Sequence, residues 1–380
     1  MSPAEISPQS AAPSPAGAPA GRIKGHATAA GTKRFGDRFD SGFTPDFYRR
    51  TAQNLTFSSL GMGTYLGECD DDEDDRYVDV LAAGVTRGLN VFDTAINYRC
   101  QRSERAVGRA LKRVTDSGIA SRDEIIVCTK GGYVPLEGRP PESRDAYADY
   151  LSREYFDPAI ITEKDLVAGG HCLTPGFIAN QIERSRSNLG VDCIDLFYLH
   201  NPEQQLDTLD RPGFIKVMTD AFTELESQVS AGHIRAYGCA TWNGFRVFAA
   251  NRNHLSLGEL ARIAHTAGGD HHHFRFVQLP VNLAMTEAIR SPTQADRGKN
   301  FSLLDLALDL GISVVASAAL MQAQLTRDLP AEVRNHFPGL ATDAQRAVAF
   351  VRSLPVISAL VGTRSVVHLE ENIASSSDVN

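Results

Sequence analysis

Three polar residues close apolar runs that have the composition of buried strands: Asp93 ends "NVFD", Lys130 ends "IIVCTK" and His200 ends "DLFYLH". Tyr98 follows Asp93 by five residues. An ammonium from Lys130 near this tyrosine would stabilise the Tyr98 phenolate and lower the pKa of the phenol, which is otherwise near ~10. Asp93 would keep the lysine charged, and His200 would orient a carbonyl substrate or share the proton. This chemistry is proton transfer to a carbonyl oxygen, and the accompanying hydride would come from a cofactor. One such residue alone is more often a cap or a satisfied polar group, whereas the combination favours catalysis.

The elements that would position these residues alternate between short β-rich runs and amphipathic helices. Strand-like runs lie at 58–66, 90–95, 124–130, 193–200, 234–241, 274–282, 312–319 and 357–364. Strands that alternate with helices predict a parallel sheet, and this number of units predicts an α/β fold of the (β/α)8 TIM-barrel type. A doubly wound sheet is the alternative, but the early G-x-G-x-x-G turn that usually accompanies it is missing.

Two segments fall outside this pattern. Residues 1–32 are rich in Ala, Pro, Ser and Gly, which predicts a disordered tail ahead of a single barrel over 33–380; a cleaved targeting peptide is the weaker interpretation. Residues 131–173 form a connection too long for an ordinary loop. Because this insertion follows the third strand at its carboxyl end, we expect a lid over the pocket. A surface excursion or an oligomer contact is the alternative.

Composition excludes several classes of protein. The chain has 380 residues and a formal net charge of −8, which argues against general nucleic-acid or membrane-surface binding. The acidic run "ECDDDEDDR" at 68–76 predicts a helix start rather than a metal site, because it lacks the spaced ligands and turn glycine of a calcium loop. Six scattered cysteines without a CxxC pair indicate reduced thiols and a cytoplasmic protein, and no run is long enough for a membrane helix.

Four motifs together carry a family resemblance. "FDTAINY…SERAVGRAL", "CTKGG", "LFYLHNP" and "ALVGTRSVVHLEENI" resemble the aldo-keto reductases, from about Phe57 to Ile373. The resemblance implies a barrel that binds a nicotinamide cofactor without a Rossmann domain, mostly NADP(H), with NAD(H) possible. It also implies a catalytic tetrad of Asp93, Tyr98, Lys130 and His200, with Tyr98 as the general acid and base.

The resemblance also implies cofactor-binding residues. Arg364 and Ser365 correspond to the residues that bind the adenosine 2′-phosphate, and a guanidinium suits phosphate well. Glu371 and Asn372 correspond to residues that contact adenine. Gln278 in "VQLPVN" corresponds to a glutamine that bonds the nicotinamide amide.

Two departures concern the nicotinamide end of the site. The usual Ser-Asn after the fifth strand is here Ala240-Thr241, so Thr241 replaces one carboxamide contact. Ser317 stands where an aromatic residue commonly stacks on nicotinamide. The long C-terminal loop of some relatives is also missing, so the insertion would provide a pocket wall in its place.

Four residues are candidates for the substrate pocket: Tyr133, His171, Trp242 and Phe245. Trp242 is the only tryptophan and follows the fifth strand, where it would pack on a ligand; wedging the loop against the barrel is an equal alternative. The "HHH" at 271–273 predicts no metal site, since consecutive side chains diverge.

The sequence as a whole predicts an NADPH-dependent oxidoreductase that reduces an aldehyde or ketone, or runs in reverse, on a small molecule. Two alternatives are a nicotinamide-binding barrel with a regulatory role and a dehydratase or epimerase that uses the cofactor without net redox change. An oligomer is possible. Substrate and direction stay open.

Overall fold

A closed barrel of eight parallel strands forms the centre of the molecule. The computed structural model describes residues 21–376. Its strands, in chain order, are β1 (Tyr48–Arg50), β2 (Thr56–Ser58), β3 (Leu60–Gly63), β4 (Val91–Asp93), β5 (Ile126–Gly131), β6 (Ile194–His200), β7 (Ile234–Ala240), β8 (Phe274–Pro280), β9 (Gln294–Asp296), β10 (Lys299–Phe301), β11 (Ser313–Ser317) and β12 (Ser358–Gly362). Strands β3 to β8, β11 and β12 follow one another around the barrel, and β12 pairs with β3 to close it. The pairs β1–β2 and β9–β10 are antiparallel hairpins outside it.

Helices connect the strands and cover the barrel. They are α1 (Ala29–Phe39), α2 (Asp71–Thr86), α3 (Arg102–Asp116), α4 (Arg144–Leu151), α5 (Pro175–Leu189), α6 (Arg211–Ser230), α7 (Leu257–Gly268), α8 (Glu287–Arg290), α9 (Leu303–Asp309), α10 (Ala331–His336), α11 (Asp343–Arg352) and α12 (Val366–Ala374). Within residues 21–376, none of these helices has the length and apolarity needed to cross a bilayer.

The predicted (β/α)8 barrel is confirmed, and each of the eight predicted runs overlaps a barrel strand. The run at 58–66 is too long, because β3 ends at Gly63. The acidic run begins a helix as predicted: the Asp70 carboxylate caps α2 by accepting the Glu73 N–H at 2.8 Å. Acidic side chains in a first turn also interact favourably with the helix dipole.

The predicted N-terminal tail differs from the structure at its end. Residues 1–20 lie outside the described residues, but 21–32 pack against the barrel. Ile23 exchanges backbone hydrogen bonds with Gly190 and Asp192, and Thr28 caps α1 by accepting the Gly31 N–H at 2.9 Å. Ile23 and Ala27 pack against the hydrophobic clusters, and backbone hydrogen bonds together with the cap hold the rest of the segment.

The insertion at 131–173 folds as a small unit beside α5. Its apolar residues form a cluster of their own together with Phe177 of α5, and an ion pair of 3.0 Å joins Glu154 to Arg184 of that helix. Only Tyr133 of the insertion lines the large cleft described below. The insertion therefore lies beside the barrel mouth, and the described residues do not support the expected lid.

Candidate active site

The alternation of side chains along the barrel strands explains which polar residues reach the mouth. On β5, Ile126 and Cys128 are buried inside the barrel, so the next residue of that face is Lys130. On the other strands, too, the polar residue at the end shares a face with the buried residues two or four positions before it. These sets are Val91 and Asp93, then Leu196, Tyr198 and His200, then Phe276 and Gln278, and finally Val315 and Ser317. Because the strands are parallel, all these residues meet at the carboxyl end of the barrel, where barrel enzymes carry their sites.

A cleft of about 1380 Å³ opens at this end. It is lined by most of the predicted site residues, namely Asp93, Tyr98, Tyr133, His200, Thr241, Trp242, Gln278, Ser317, Arg364, Ser365, Glu371 and Asn372. Lys130 lies directly beneath them. Residues from seven strand ends and from α12 thus share one cavity, although they span most of the sequence.

Lys130 and Asp93 form a buried ion pair under the cleft floor. The lysine Nζ donates to Asp93 Oδ1 at 2.5 Å and to the Thr94 carbonyl at 2.8 Å. Gln278 Nε2 donates to the other carboxylate oxygen at 2.8 Å. Burial lowers the pKa of Lys130, but the carboxylate of Asp93 and the neighbouring Tyr98 outweigh it and raise that pKa above its ordinary value. The ammonium is therefore charged at neutral pH.

Tyr98 packs above this ion pair. Its ring centroid is 5.1 Å from Lys130 Nζ, 5.8 Å from the His200 ring and 5.0 Å from the Tyr65 ring. Burial raises the pKa of Tyr98 above its usual value, and Lys130 acts in the opposite direction. The phenol is therefore protonated at neutral pH, and the adjacent ammonium stabilises the phenolate that forms when the proton leaves.

His200 ends β6 beside Tyr98, and its ring is neutral. Burial, followed by Lys130 and His171, holds the pKa of His200 well below its usual value. Its Nδ1 is buried and has no hydrogen-bond partner among the described residues. The ring also contacts Tyr133 edge-on, with centroids 5.1 Å apart. A neutral imidazole in this place has one N–H to offer a substrate oxygen.

The three residues predicted for the nicotinamide end all line the cleft. Gln278 lines the cleft but donates to Asp93, which leaves its amide oxygen for a further contact. Thr241 Oγ1 is buried without a partner among the described residues. Ser317 ends β11 at the cleft wall.

The opposite end of the cleft is basic. Arg364 lies two residues before the start of α12 and donates to Glu73 Oε1 at 3.1 Å, while Arg76 donates to Glu73 Oε2 at 3.3 Å. Glu73 is buried, whereas the side chains of Arg364 and Arg76 are 47% and 61% exposed. Ser365, Glu371 and Asn372 line the cleft next to them. This carboxylate therefore holds two guanidinium groups at one edge of the cleft.

Two of the four predicted pocket residues line the cleft. Tyr133 does so with its hydroxyl bonded to Gln204 and Asn201, and Trp242 does so with 45% of its surface exposed. His171 and Phe245 do not. His171 is buried behind His200, and Phe245 is fully buried in the hydrophobic core. Both residues lie in loops beyond the ends of strands, where the alternation along a strand no longer determines the direction of a side chain.

Two parts of the cleft wall were not predicted from the sequence. Tyr65 and Leu66 were assigned to the first strand, but they follow its end at Gly63 and stand exposed at the mouth. The loop after β11 also lines the cleft, and Ala318, Met321, Gln322 and Ala323 have φ angles of 53°, 47°, 52° and 66°. Such backbone is uncommon for non-glycine residues and gathers at ligand-binding loops. The rule that strand ends form the site would have found both.

The remaining chemical motifs have structural partners. His273 Nδ1 lies 2.7 Å from Glu226 Oε2, and the described residues contain no group of three or more His, Cys, Asp or Glu side chains placed to hold a metal. All six cysteines are free, and Cys69 and Cys100 have their sulfurs 3.8 Å apart.

The closed (β/α)8 barrel brings the four candidate catalytic residues together at its carboxyl end. The model of the Aldo/keto reductase family matches residues 59–379, so the chain belongs to that family. It is 31% identical over 186 residues to a D-threo-aldose 1-dehydrogenase from Pseudomonas sp, a match that covers 48% of each chain. It is 25% identical to an NADH-specific methylglyoxal reductase from Escherichia coli (strain K12), over 75% of this chain and 70% of the relative. The fold matches an aldo-keto reductase from Klebsiella pneumoniae in complex with NADPH, with a TM-score of 0.58, 20% identity, and coverage of 86% of this chain and 88% of the other.

Proposed function

We propose that this member of the family reduces an aldehyde or ketone to an alcohol, or catalyses the reverse oxidation, with a nicotinamide cofactor. The observation that carries the proposal is the cluster of Asp93, Lys130, Tyr98 and His200 on the floor of a cleft. A buried ammonium beside a half-buried phenol is suited to reversible proton transfer at a carbonyl oxygen. The other end of the same cleft presents Arg364, which suits a phosphate.

The residues of the cleft fit such a cofactor. Arg364 and Ser365 would hold the adenosine phosphate, with Glu371 and Asn372 at the adenine. At the other end, the unpartnered hydroxyl of Thr241 and the free amide oxygen of Gln278 suit the nicotinamide carboxamide. The nicotinamide ring, when bound, supplies or accepts the hydride. The basic edge favours NADP(H), and the NADH-specific methylglyoxal reductase among the relatives supports NAD(H) as a second possibility.

The residues of this chain perform the proton step. In reduction, the Tyr98 hydroxyl donates its proton to the carbonyl oxygen, and Lys130 stabilises the phenolate that remains. Asp93 keeps the lysine charged and fixed, because its carboxylate accepts from Nζ at 2.5 Å. His200 is neutral and donates an N–H to the same substrate oxygen, which orients the carbonyl toward the phenol.

Replacing Tyr98 by phenylalanine tests the proposal. The ring keeps its contacts with Tyr65, Lys130 and His200, so the fold and the affinity for NADPH should be unchanged. Turnover should fall by about 10²–10⁴-fold, the usual contribution of a general acid. Candidate substrates are methylglyoxal and aldoses, followed by cofactor absorbance, and a variant with full turnover would contradict the proposal.

A second candidate function follows from Ser317. Without a stacking ring at this position, the cofactor could serve as a bound sensor or as a transient hydride acceptor in an elimination or epimerisation. The discriminating measurement is the amount of NADPH consumed per product formed. A ratio of one supports the reductase, and a ratio near zero supports the second candidate.

The six free cysteines support the predicted cytoplasmic location.

A further inference from the structure

The two ends of the insertion meet beside His200. Tyr133 and His171 pair as neighbouring antiparallel segments. The Cys172 N–H donates to the Gly132 carbonyl at 2.8 Å, and the Val134 N–H donates to the Gly170 carbonyl at 2.7 Å. The chain thus leaves the barrel after β5, folds a separate small core, and returns to its starting point with His171 at the end of β6.

The His171 side chain is completely buried and bonded on both nitrogens. Its Nε2 lies 2.8 Å from the backbone carbonyl oxygen of His200, and its Nδ1 lies 2.7 Å from Gln205 Nε2. A carbonyl only accepts, so Nε2 carries the proton, and Nδ1 accepts from the Gln205 amide. The ring is therefore a neutral imidazole in one tautomer, placed between two partners.

The surroundings of this contact leave no room for another arrangement. A Cβ atom at Gly132 would lie 3.0 Å from the His200 carbonyl oxygen and 3.1 Å from His171 Nε2, and Gly132 has a φ of +140°. Gln181 bridges the same segment, accepting from the Gly132 N–H at 2.7 Å and donating to the Tyr133 carbonyl at 2.6 Å. The segment that pairs with His171 is therefore tied to α5 by these two hydrogen bonds.

We propose that His171 is a positioning residue for His200, and that the insertion serves to deliver it. The proposal rests on the proposed function, in which His200 orients the substrate carbonyl. The Nδ1 atom of His200 is buried and has no hydrogen-bond partner among the described residues, so the direction of the ring depends on its backbone and on its neighbours. His171 holds that backbone from behind, and Tyr133, which packs on both histidine rings at 4.8 and 5.1 Å, holds the ring from the side.

Loss of the His171 donor should therefore impair orientation more than cofactor binding. The carbonyl of His200 would lose the hydrogen bond from His171 Nε2, and the end of β6 would relax. A displacement of about 1 Å in a positioning group costs up to about 10²-fold in rate. The cofactor residues lie on other strands, so the Kd for NADPH should not change.

Two variants of His171 and one control separate positioning from stability. His171→Gln keeps an N–H near the place of Nε2, whereas His171→Leu removes it. Tyr150→Phe removes another buried hydrogen bond of the insertion, the 2.5 Å bond to the Pro135 carbonyl, and does not touch His200. We expect H171L to lose at least about 10-fold in kcat, H171Q to lose much less, and Y150F to keep wild-type kcat even if its Tm falls as far. Equal kcat in folded H171L and wild type would overturn the proposal.

A spectroscopic measurement separates failure of this inference from failure of the proposed function. With ¹³Cε1-labelled histidine, the His200 signal is assigned from its loss in a His200→Gln variant. The proposal expects H171L to shift this signal in the NADPH-free protein while Y150F leaves it in place. An unchanged His200 signal in H171L would refute positioning, whatever the activity. A shifted signal in a protein that turns over no carbonyl would support positioning and count against the reductase alone.

Discussion

Replacing Lys130 by methionine should destabilise the protein strongly, because it leaves a buried carboxylate without its counter-ion. The side chains of Lys130 and Asp93 are 1% and 6% exposed. In the variant, Gln278 Nε2 at 2.8 Å is the one side-chain donor left to that carboxylate among the described residues. Breaking a buried ion pair on one side costs about 3–5 kcal/mol, a large part of the ~5–15 kcal/mol that holds a typical domain folded.

A double variant distinguishes an ion-pair effect from a packing effect. Asp93→Asn combined with Lys130→Met has no buried charge at either position, so most of the lost stability should return. The control is Arg113→Met, which breaks the exposed 2.6 Å pair with Asp79 and should cost less than about 1 kcal/mol. Urea unfolding followed by circular dichroism gives the free energy of unfolding for each variant.

Additive losses would refute the reasoning. If the double variant is less stable than K130M by the full cost of the Asp93→Asn change, the two residues are not coupled and the ion pair carries no weight.

The pH dependence gives a further check on K130M. Burial raises the pKa of Tyr98 and Lys130 opposes it, so without the lysine any basic limb in the rate of reduction should move to higher pH.

Three further predictions concern the cofactor and pH. Arg364→Gln should weaken the binding of NADPH by about 10–100-fold, because a charge-assisted contact is lost, and should leave the affinity for NADH unchanged in fluorescence titrations. The control Arg109→Gln removes the same charge beside α2 and should alter neither affinity. Ser317→Tyr should tighten both cofactors by supplying a stacking ring, and an unchanged Kd would show that the space beside Ser317 is not the nicotinamide site. Burial lowers the pKa of His171 to about 4, so between pH 6.5 and 4 the unfolded state binds more protons than the folded state. The free energy of unfolding, measured with urea, should therefore fall by up to about 3 kcal/mol from pH 7 to 4, and this part of the fall should be absent in H171Q.

The barrel could be predicted from the sequence because its signals are local. Apolar runs bounded by polar turns, alternating with amphipathic helices, imply parallel strands whatever their partners. The period of two then carries each strand from its buried residues to one polar residue at the mouth, as from Ile126 and Cys128 to Lys130. Three of the four catalytic candidates, Asp93, Lys130 and His200, came from that rule, and Tyr98 was added because it follows the first of these strand ends by five residues. Most cofactor candidates came from the resemblance to a family.

The rule fails where the strand ends. Phe245 follows β7 by only a few residues, yet its loop turns it into the core. His171 stands 29 residues before His200 in sequence and reaches it through a fold of the insertion's own. The N-terminal segment at 21–32 looks disordered by composition, but its hydrogen bonds run to residues more than 90 positions away, such as Asp123 and Gly190. No local pattern records a partner of this kind.

The sequence by itself therefore determined the fold class and which polar side chains point out of the barrel mouth, since both follow from residue periods within single segments. The tertiary structure decided which of these groups are neutral or charged and what holds them. Glu73 lies between Arg76 and Arg364, which is 291 residues away from it, and His171 supports His200 from behind. Hydrogen bonds and ion pairs between distant segments depend on distances of a few tenths of an ångström, and those distances exist only once the barrel has closed.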